Sequence, residues 1–303
     1  VGSEMCIRDS VEIMLVTITN TGRMAQTVTP TAAIPLYGRS ADNIRDHRHV
    51  TSLLHRIETT DTGVLVTPTL SFDERGHQVN HMTYYCVGWS GNGEKPVDFY
   101  PTAEDFVGEG GNFERPYAIV KNAEGVKAGT KIEGLEAVGG LHFSEITLEP
   151  EEECSYLIFT GITEDIQEIR NLSKTYTTRE KVLEELEKTK AYWQEKVNVA
   201  YHTGDSDFNQ FMHWVSFQPI LRRIYGCSFL PHHDYGKGGR GWRDLWQDCL
   251  ALLIMTPDGV RQMLLDNFAG VRIDGSNATI IGSKQGEFVA DRNNITRVWM
   301  DHG

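Results

Sequence analysis

Apolar and polar positions follow two different periods along this chain. From residue 11 to about residue 160 they come in short runs rich in β-branched and aromatic residues: "EIMLVTITNTG", "TVTPTAAIPLYG", "TGVLVTPTLSF" and "HMTYYCVGW". These runs read as strands that alternate apolar and polar sides. "LHFSEITLEPEEECSYLIFTGIT" reads as two more strands around a Pro–Glu turn. A succession of this kind predicts antiparallel strands packed as a β-sandwich. From "ITEDIQEIRNLSKTYTTREKVLEELEKTKAYWQEKV" onward the period lengthens. Val182, Leu183, Leu186 and Tyr192 or Trp193 recur at helical spacing, and Thr178 with Glu180 suits a helix start. Past residue 200, "SDFNQFMHWVSFQPILRRIYG", "WRDLWQDCLALLIMT" and "PDGVRQMLLDNFAGV" predict three helices. Pro257 stands near the start of the last, where a missing N–H does no harm. "DGSNATIIGSKQGEFVADRNN" is a long irregular stretch of the kind that usually carries function or moves.

The change of period divides the chain into a sandwich over 11–162, a helical linker over 163–200 and a helical domain over 201–303. Residues 1–10, "VGSEMCIRDS", resemble a translated sequencing-adapter string and are set aside. The sequence then starts inside a strand and stops at "TRVWMDHG" without a helix cap, so both ends read as cut.

Length and composition narrow the function classes. A chain of 303 residues fits one large or two ordinary domains, and 40% hydrophobic residues suffice for real cores. The net charge of −13 argues against a nucleic-acid binder, which needs a basic surface. A local basic pocket for a small anion is still compatible with it. Five cysteines (Cys6, Cys86, Cys154, Cys227, Cys249) form no CxxC pair, which argues against a disulfide framework or a zinc site and for a reducing, cytoplasmic compartment. No run of 18 apolar residues is present, so neither a membrane span nor a membrane partner is expected.

The candidate chemistry concentrates in "FLPHHDYGKGGRGWRDLWQD", residues 229–248. A helix beginning near Gly241 puts Arg243 and Gln247 on one edge, Asp244 and Asp248 on the neighbouring edge, and Leu245, Cys249 and Leu252 towards a core. Carboxylates beside an arginine fork offer the opposed acceptors and donors that sugar hydroxyls need. Trp242 and Trp246 add flat surfaces of the sort that stack on sugar rings. Lys237, Arg240 and four glycines lie just upstream, where backbone N–H groups and a helix dipole favour an anion. A capped, solvated helix start with an Arg–Asp pair and a core tryptophan explains the same residues about equally well. "GKGGRG" lacks the ending of a P-loop and the strand before one. His232, His233 and Asp234 lack a third ligand at metal spacing and read as hydrogen-bonding loop residues. Arg39, Asp42, Arg45, Asp46, His47, Arg48 and His49 read first as a solvated loop. Arg272, Asp274, Asp291, Arg292 and Asp301 are expected to contribute to a pocket if the long loop folds over one.

A sandwich, a linker ending "YWQEKV", a helix with "FNQFMHWVSFQ" and then Gly241, Trp242, Arg243, Asp244, Gln247 and Asp248 together resemble glycoside hydrolase family 94. That family includes cellobiose and 1,2-β-oligoglucan phosphorylases. "DFVGEGGNFERPYAI" and "LEPEEECSYLIFTGIT" are similar to its supersandwich. The resemblance implies a β-supersandwich, a helical linker and the start of an (α/α)6 barrel. It also implies cleavage of a β-glucosidic bond in a β-glucan oligosaccharide by inorganic phosphate, with inversion and no other cofactor or metal. By resemblance, Trp242, Arg243, Asp244, Gln247 and Asp248 hold the sugar and Arg240 helps hold phosphate. The general acid is expected beyond Gly303, so this stretch alone is expected to be inactive, and a homodimer is expected of the full-length protein. A hydrolase or transglycosylase on the same scaffold, as in the cyclic β-glucan synthases, and a non-catalytic carbohydrate-binding protein are the alternatives.

Overall fold

Four apolar runs sort by parity into two separate cores. The computed structural model describes residues 2–7, 11–38, 51–73, 76–225, 240–268, 270, 271, 273–275, 277, 280, 281, 288 and 289. In chain order the strands up to residue 163 are β1 (Gly2–Ile7), β2 (Val11–Thr19), β3 (Gln26–Val28), β4 (Thr31–Leu36), β5 (Arg56–Thr59), β6 (Gly63–Val66), β7 (Leu70–Asp73), β8 (Gly76–Val79), β9 (Thr83–Ser90), β10 (Asp98–Thr102), β11 (Lys131–Glu133), β12 (Ala137–His142), β13 (Ile146–Leu148) and β14 (Glu153–Thr163). One sheet of seven antiparallel strands has the order β1-β2-β14-β9-β6-β5-β11, and a second has the order β10-β12-β4. Met14, Val16, Val64, Val66, Cys86, Tyr156 and Ile158 point to one side of the large sheet, where they pack with Phe99 and Leu141 of the smaller one. Their neighbours Ile13, Leu15, Leu65, Tyr85, Val87, Leu157 and Phe159 point to the other side.

That other side explains why these runs are apolar at both parities. Two helices, α3 (Ile166–Thr175) and α4 (Arg179–Lys196), follow β14; two short ones, α1 (Ala103–Val107) and α2 (Tyr117–Lys121), precede it. Ile169 and Leu172 of α3 and Val182 and Leu186 of α4 lie on the second face. A strand covered on both faces loses its polar positions, so one-sided alternation is not what the central strands show. Asp165 caps α3 by accepting from the Gln167 N–H at 2.8 Å, and the indole of Trp89 donates to the Tyr176 carbonyl at 2.8 Å just past its end. The segment read as a linker is, over this part, a cover for the sheet. Thr178 and Glu180 sit at the start of α4 as expected, and hydrogen bonds from the Glu180 N–H and the Thr178 hydroxyl hold the Glu180 carboxyl below its usual range.

Two local readings need correction. The stretch 11–160 is not strand throughout, because α1 and α2 are built from "AEDFV" and "YAIVK". Helices of five residues are too short to show a period. "LHFSEITLEPEEECSYLIFTGIT" forms the end of β12 and then β13 and β14. The Pro–Glu turn joins the last two, with Glu151 at φ 65°. The ten residues set aside include β1, which pairs with β2 from Gly2↔Thr17 to Ile7↔Glu12. Main-chain pairing to a free edge reads little of the sequence added to it, so this strand does not bear on where the segment comes from.

The two sheets approach closely where Gly139 faces Cys86. A Cβ at Gly139 would lie 2.2 Å from the Cys86 Cβ, which fixes glycine there. Burial pushes the Cys86 thiol from 9.0 up to about 12, and the Tyr85 hydroxyl, mainly through burial, from 10.0 to about 12. An unfolded chain releases these protons from about pH 9 upward and the native one only near 12, so the unfolded state binds fewer protons in between and stability falls as pH rises. Urea midpoints measured from pH 8 to 11 are expected to drop steeply above 9. They should drop less steeply in Cys86→Ala; an unchanged slope in that variant would exclude the thiol as a cause.

The chain divides into two units at Thr189/Lys190, inside α4. The second unit contains α5 (Ser206–Tyr225), α6 (Trp242–Met255) and α7 (Val260–Phe268), with β15 (Arg240–Gly241), β16 (Ile280–Ile281) and β17 (Phe288–Val289) paired in that order. All three helices coincide with the predicted ones within a few residues. Among the described residues no helix is long and apolar enough to cross a membrane.

Candidate functional site

The helix that carries the glycine-flanked motif is oriented by four apolar residues. Leu245, Cys249, Leu252 and Met255 recur every three or four positions on α6, and all are buried. They pack with Val197, Ile220 and Val260. α5 enters through a cap in which Asp205 accepts from the N–H groups of Asp207 at 2.9 Å and Phe208 at 3.1 Å. Pro219 lies inside α5. It removes the N–H that would otherwise bond the Val215 carbonyl.

Between these helices lies a cavity of about 590 Å³. Its polar lining is Tyr201, Ser216, Gln218, Arg222, Gln247 and Asp248, and its apolar walls include Val199, Pro219 and Ile254. The Tyr201 and Ser216 hydroxyls are 3.0 Å apart. Asp248 is only 7% exposed. Arg222 grips it as a fork: Nε donates to Oδ2 at 2.7 Å and to Oδ1 at 2.9 Å, and Nη2 donates to Oδ1 at 2.5 Å. A fork of this kind is the strongest ordinary arrangement of arginine and carboxylate. The next residue, Arg223, donates to the Thr256 carbonyl at 3.0 Å and to the Asp258 carbonyl, which ties α5 to the end of α6.

The structure therefore brings Gln247 and Asp248 together in one cavity wall. Trp242 is half-buried, meets Trp246 edge-on at 5.5 Å and donates its indole N–H to the Asn267 carbonyl at 3.2 Å. That is packing of the kind a core tryptophan shows. Trp246 Nε1 and Asn267 Oδ1 are buried close by and have no hydrogen-bond partner among the described residues. Arg243 is exposed on α6 and is not among the described residues that line the cavity. Asp244 lies in α6 and Arg240 in β15, but their side chains fall outside the described residues, as do Lys237, His232, His233 and Asp234. The stretch read as a solvated loop, with Arg39, Asp42, Arg45, Asp46, His47, Arg48 and His49, also falls outside them, as do Arg272, Asp291, Arg292 and Asp301. Asp274 is exposed in a turn. Sequence reasoning missed Arg222. Its signal was a pair of arginines at the end of an apolar helix, which reads first as favourable charge at a helix C-terminus.

A search of solved structures finds a likeness to a putative kojibiose phosphorylase from the human microbiome, with a TM-score of 0.45 and 10% identity, covering 92% of this chain and 36% of that one. Among curated proteins, the cyclic beta-(1,2)-glucan synthase NdvB of Rhizobium meliloti (strain 1021) is 26% identical over 194 residues, 63% of this chain. The chain spans 6% of that synthase's length. Residues 6–179 match the family model described as glycosyl hydrolase 94, supersandwich domain. With this match over more than half its length, on a pair of packed antiparallel sheets, the chain belongs to glycosyl hydrolase family 94.

Proposed function

We propose that the protein is an inverting glycoside phosphorylase that cleaves β-glucosidic bonds of a β-glucan oligosaccharide with inorganic phosphate. In this reading the second unit is the start of an (α/α)6 barrel and works in the cytoplasm. The observation that carries the reading is the Gln247–Asp248 wall of the cavity, set on the helix of the Gly-Trp-Arg-Asp-x-x-Gln-Asp motif in a chain of this family. A wall of fixed acceptors, a carboxamide and aliphatic surface suits the alternating polar and apolar faces of a sugar. Arg243, Asp244 and Trp242 are proposed to complete the sugar contacts and Arg240 to meet phosphate.

The reaction needs one proton donor. A carboxylic acid protonates the glycosidic oxygen, a phosphate oxygen attacks the anomeric carbon from the opposite face, and the carbon–oxygen bond to the leaving sugar breaks. The products are a sugar 1-phosphate and a glucan shortened by one unit. Phosphate replaces the water and the second carboxylate of an inverting hydrolase.

The likeness to a glucan synthase favours a second reading, transglycosylation on the same scaffold. Phosphate dependence separates the two. The intact gene product, incubated with linear β-glucan, is expected to release sugar 1-phosphate only when inorganic phosphate is added. Chain redistribution that is indifferent to phosphate would establish the second reading, and binding without cleavage would make the protein a carbohydrate-binding one.

A further inference from the structure

We propose that Arg222 is a positioning residue for the sugar, acting through Asp248; this rests on the reading of Asp248 as a sugar contact. The two residues come from different helices, α5 and α6, and both line the cavity. The carboxylate side chain is 9% exposed and the arginine side chain 28%. All three fork contacts fall at 2.9 Å or less, so the carboxylate plane is fixed by the guanidinium plane. Within the fork Oδ1 accepts two of the three hydrogen bonds and Oδ2 one, and the carboxylate so oriented is what would meet a sugar hydroxyl. The pair is neutral as a whole, which suits a neutral polyol better than a free ion.

Joining the helices does not require this pair. Arg223 already binds the Thr256 and Asp258 carbonyls, and an apolar cluster of Ile220, Leu245, Cys249 and Leu252 fills the contact. A buried ion pair is in any case weak evidence for stability, since apolar replacements are often neutral or better. An oriented carboxylate facing a cavity is what the fork provides and what packing alone would not.

A double-mutant cycle in the intact gene product tests this, using Arg222→Leu, Asp248→Asn and the double variant, with Arg222→Lys alongside. Arg222→Leu is expected to raise the KM for linear β-glucan by roughly tenfold or more, as for one lost charge-assisted contact. The KM for phosphate should change by less than about twofold. Arg222→Lys, which keeps the charge without the fork, should recover part of the loss and carries the test if the leucine variant does not fold. The double variant should lose no more than Asp248→Asn alone, because the arginine acts through the carboxylate. A lower melting temperature with an unchanged glucan KM would make the pair structural only and overturn the proposal. Losses that multiply in the double variant, or a raised phosphate KM, would also overturn it. Calorimetric Kd values for the glucan are measured in the same cycle. A wild type that binds glucan without phosphate-dependent cleavage would overturn the phosphorylase reading while the Kd cycle still tests the pair. A wild type that binds no glucan would overturn both.

Discussion

Asp248→Ala in the intact gene product is expected to lower kcat/KM for β-glucan by at least a hundredfold, on the order of 2–4 kcal/mol for a carboxylate lost from a desolvated site. On the proposed reading two effects add in this variant. The sugar loses an acceptor, and the Arg222 guanidinium, which now makes three hydrogen bonds to that carboxylate, is left in the cavity wall without them. Asp248→Asn keeps the shape and one acceptor and should fall between the two. Asp42→Ala, at a position outside the described residues, serves as the comparison and is expected to change kcat/KM little. Steady-state kinetics with the glucan varied decides. Equal losses in the two alanine variants would mean that the sugar site lies elsewhere.

The largest expected loss of stability is at Phe159. Its side chain is fully buried on the helix-covered face of the large sheet, stacked on Trp89 at 4.5 Å between ring centres and facing Tyr176 at 5.8 Å. Phe159→Ala leaves a hole between β14, β9 and the end of α3 that rigid strands cannot close, at about 3–5 kcal/mol. Met24→Ala, at a side chain 72% exposed, should stay within about 0.5 kcal/mol. Urea unfolding followed by far-UV circular dichroism compares them. A Phe159→Ala midpoint indistinguishable from that of Met24→Ala would show that the first unit does not depend on this core.

Which parts of this molecule are legible in its sequence follows from the range of the forces involved. The strands and the three long helices announce themselves because apolar spacing is a local property. Leu245, Cys249 and Leu252 could be assigned to a core from their spacing alone, and they are buried. The double-sided burial of "VLV" and "YLIF" was not legible, since it depends on α3 and α4 folding back over the sheet. Nor was the role of Arg222. Its partner is 26 residues away along the chain, and nothing in the spacing singles it out from Arg223, whose partners include the Thr256 and Asp258 carbonyls past the end of α6. Trp242 shows the opposite limit: the residue type suits both sugar stacking and packing, and its indole is engaged by the Asn267 carbonyl.

The position of β14 sets the order in which the first unit can be completed. It lies inside the large sheet, between β2 and β9, yet is the last of that sheet's strands in the chain. Glu153 pairs with Thr19 and Thr163 with Thr83, so both contacts span long loops. Until residue 163 leaves the ribosome, β2 and β9 each present an unpaired edge, and the apolar residues of both faces have no central strand to pack beside. Contacts of such separation close slowly, and open edges of this kind are where nascent chains pair with one another. During synthesis the sandwich therefore depends on its final strand arriving before a neighbouring chain's edge does.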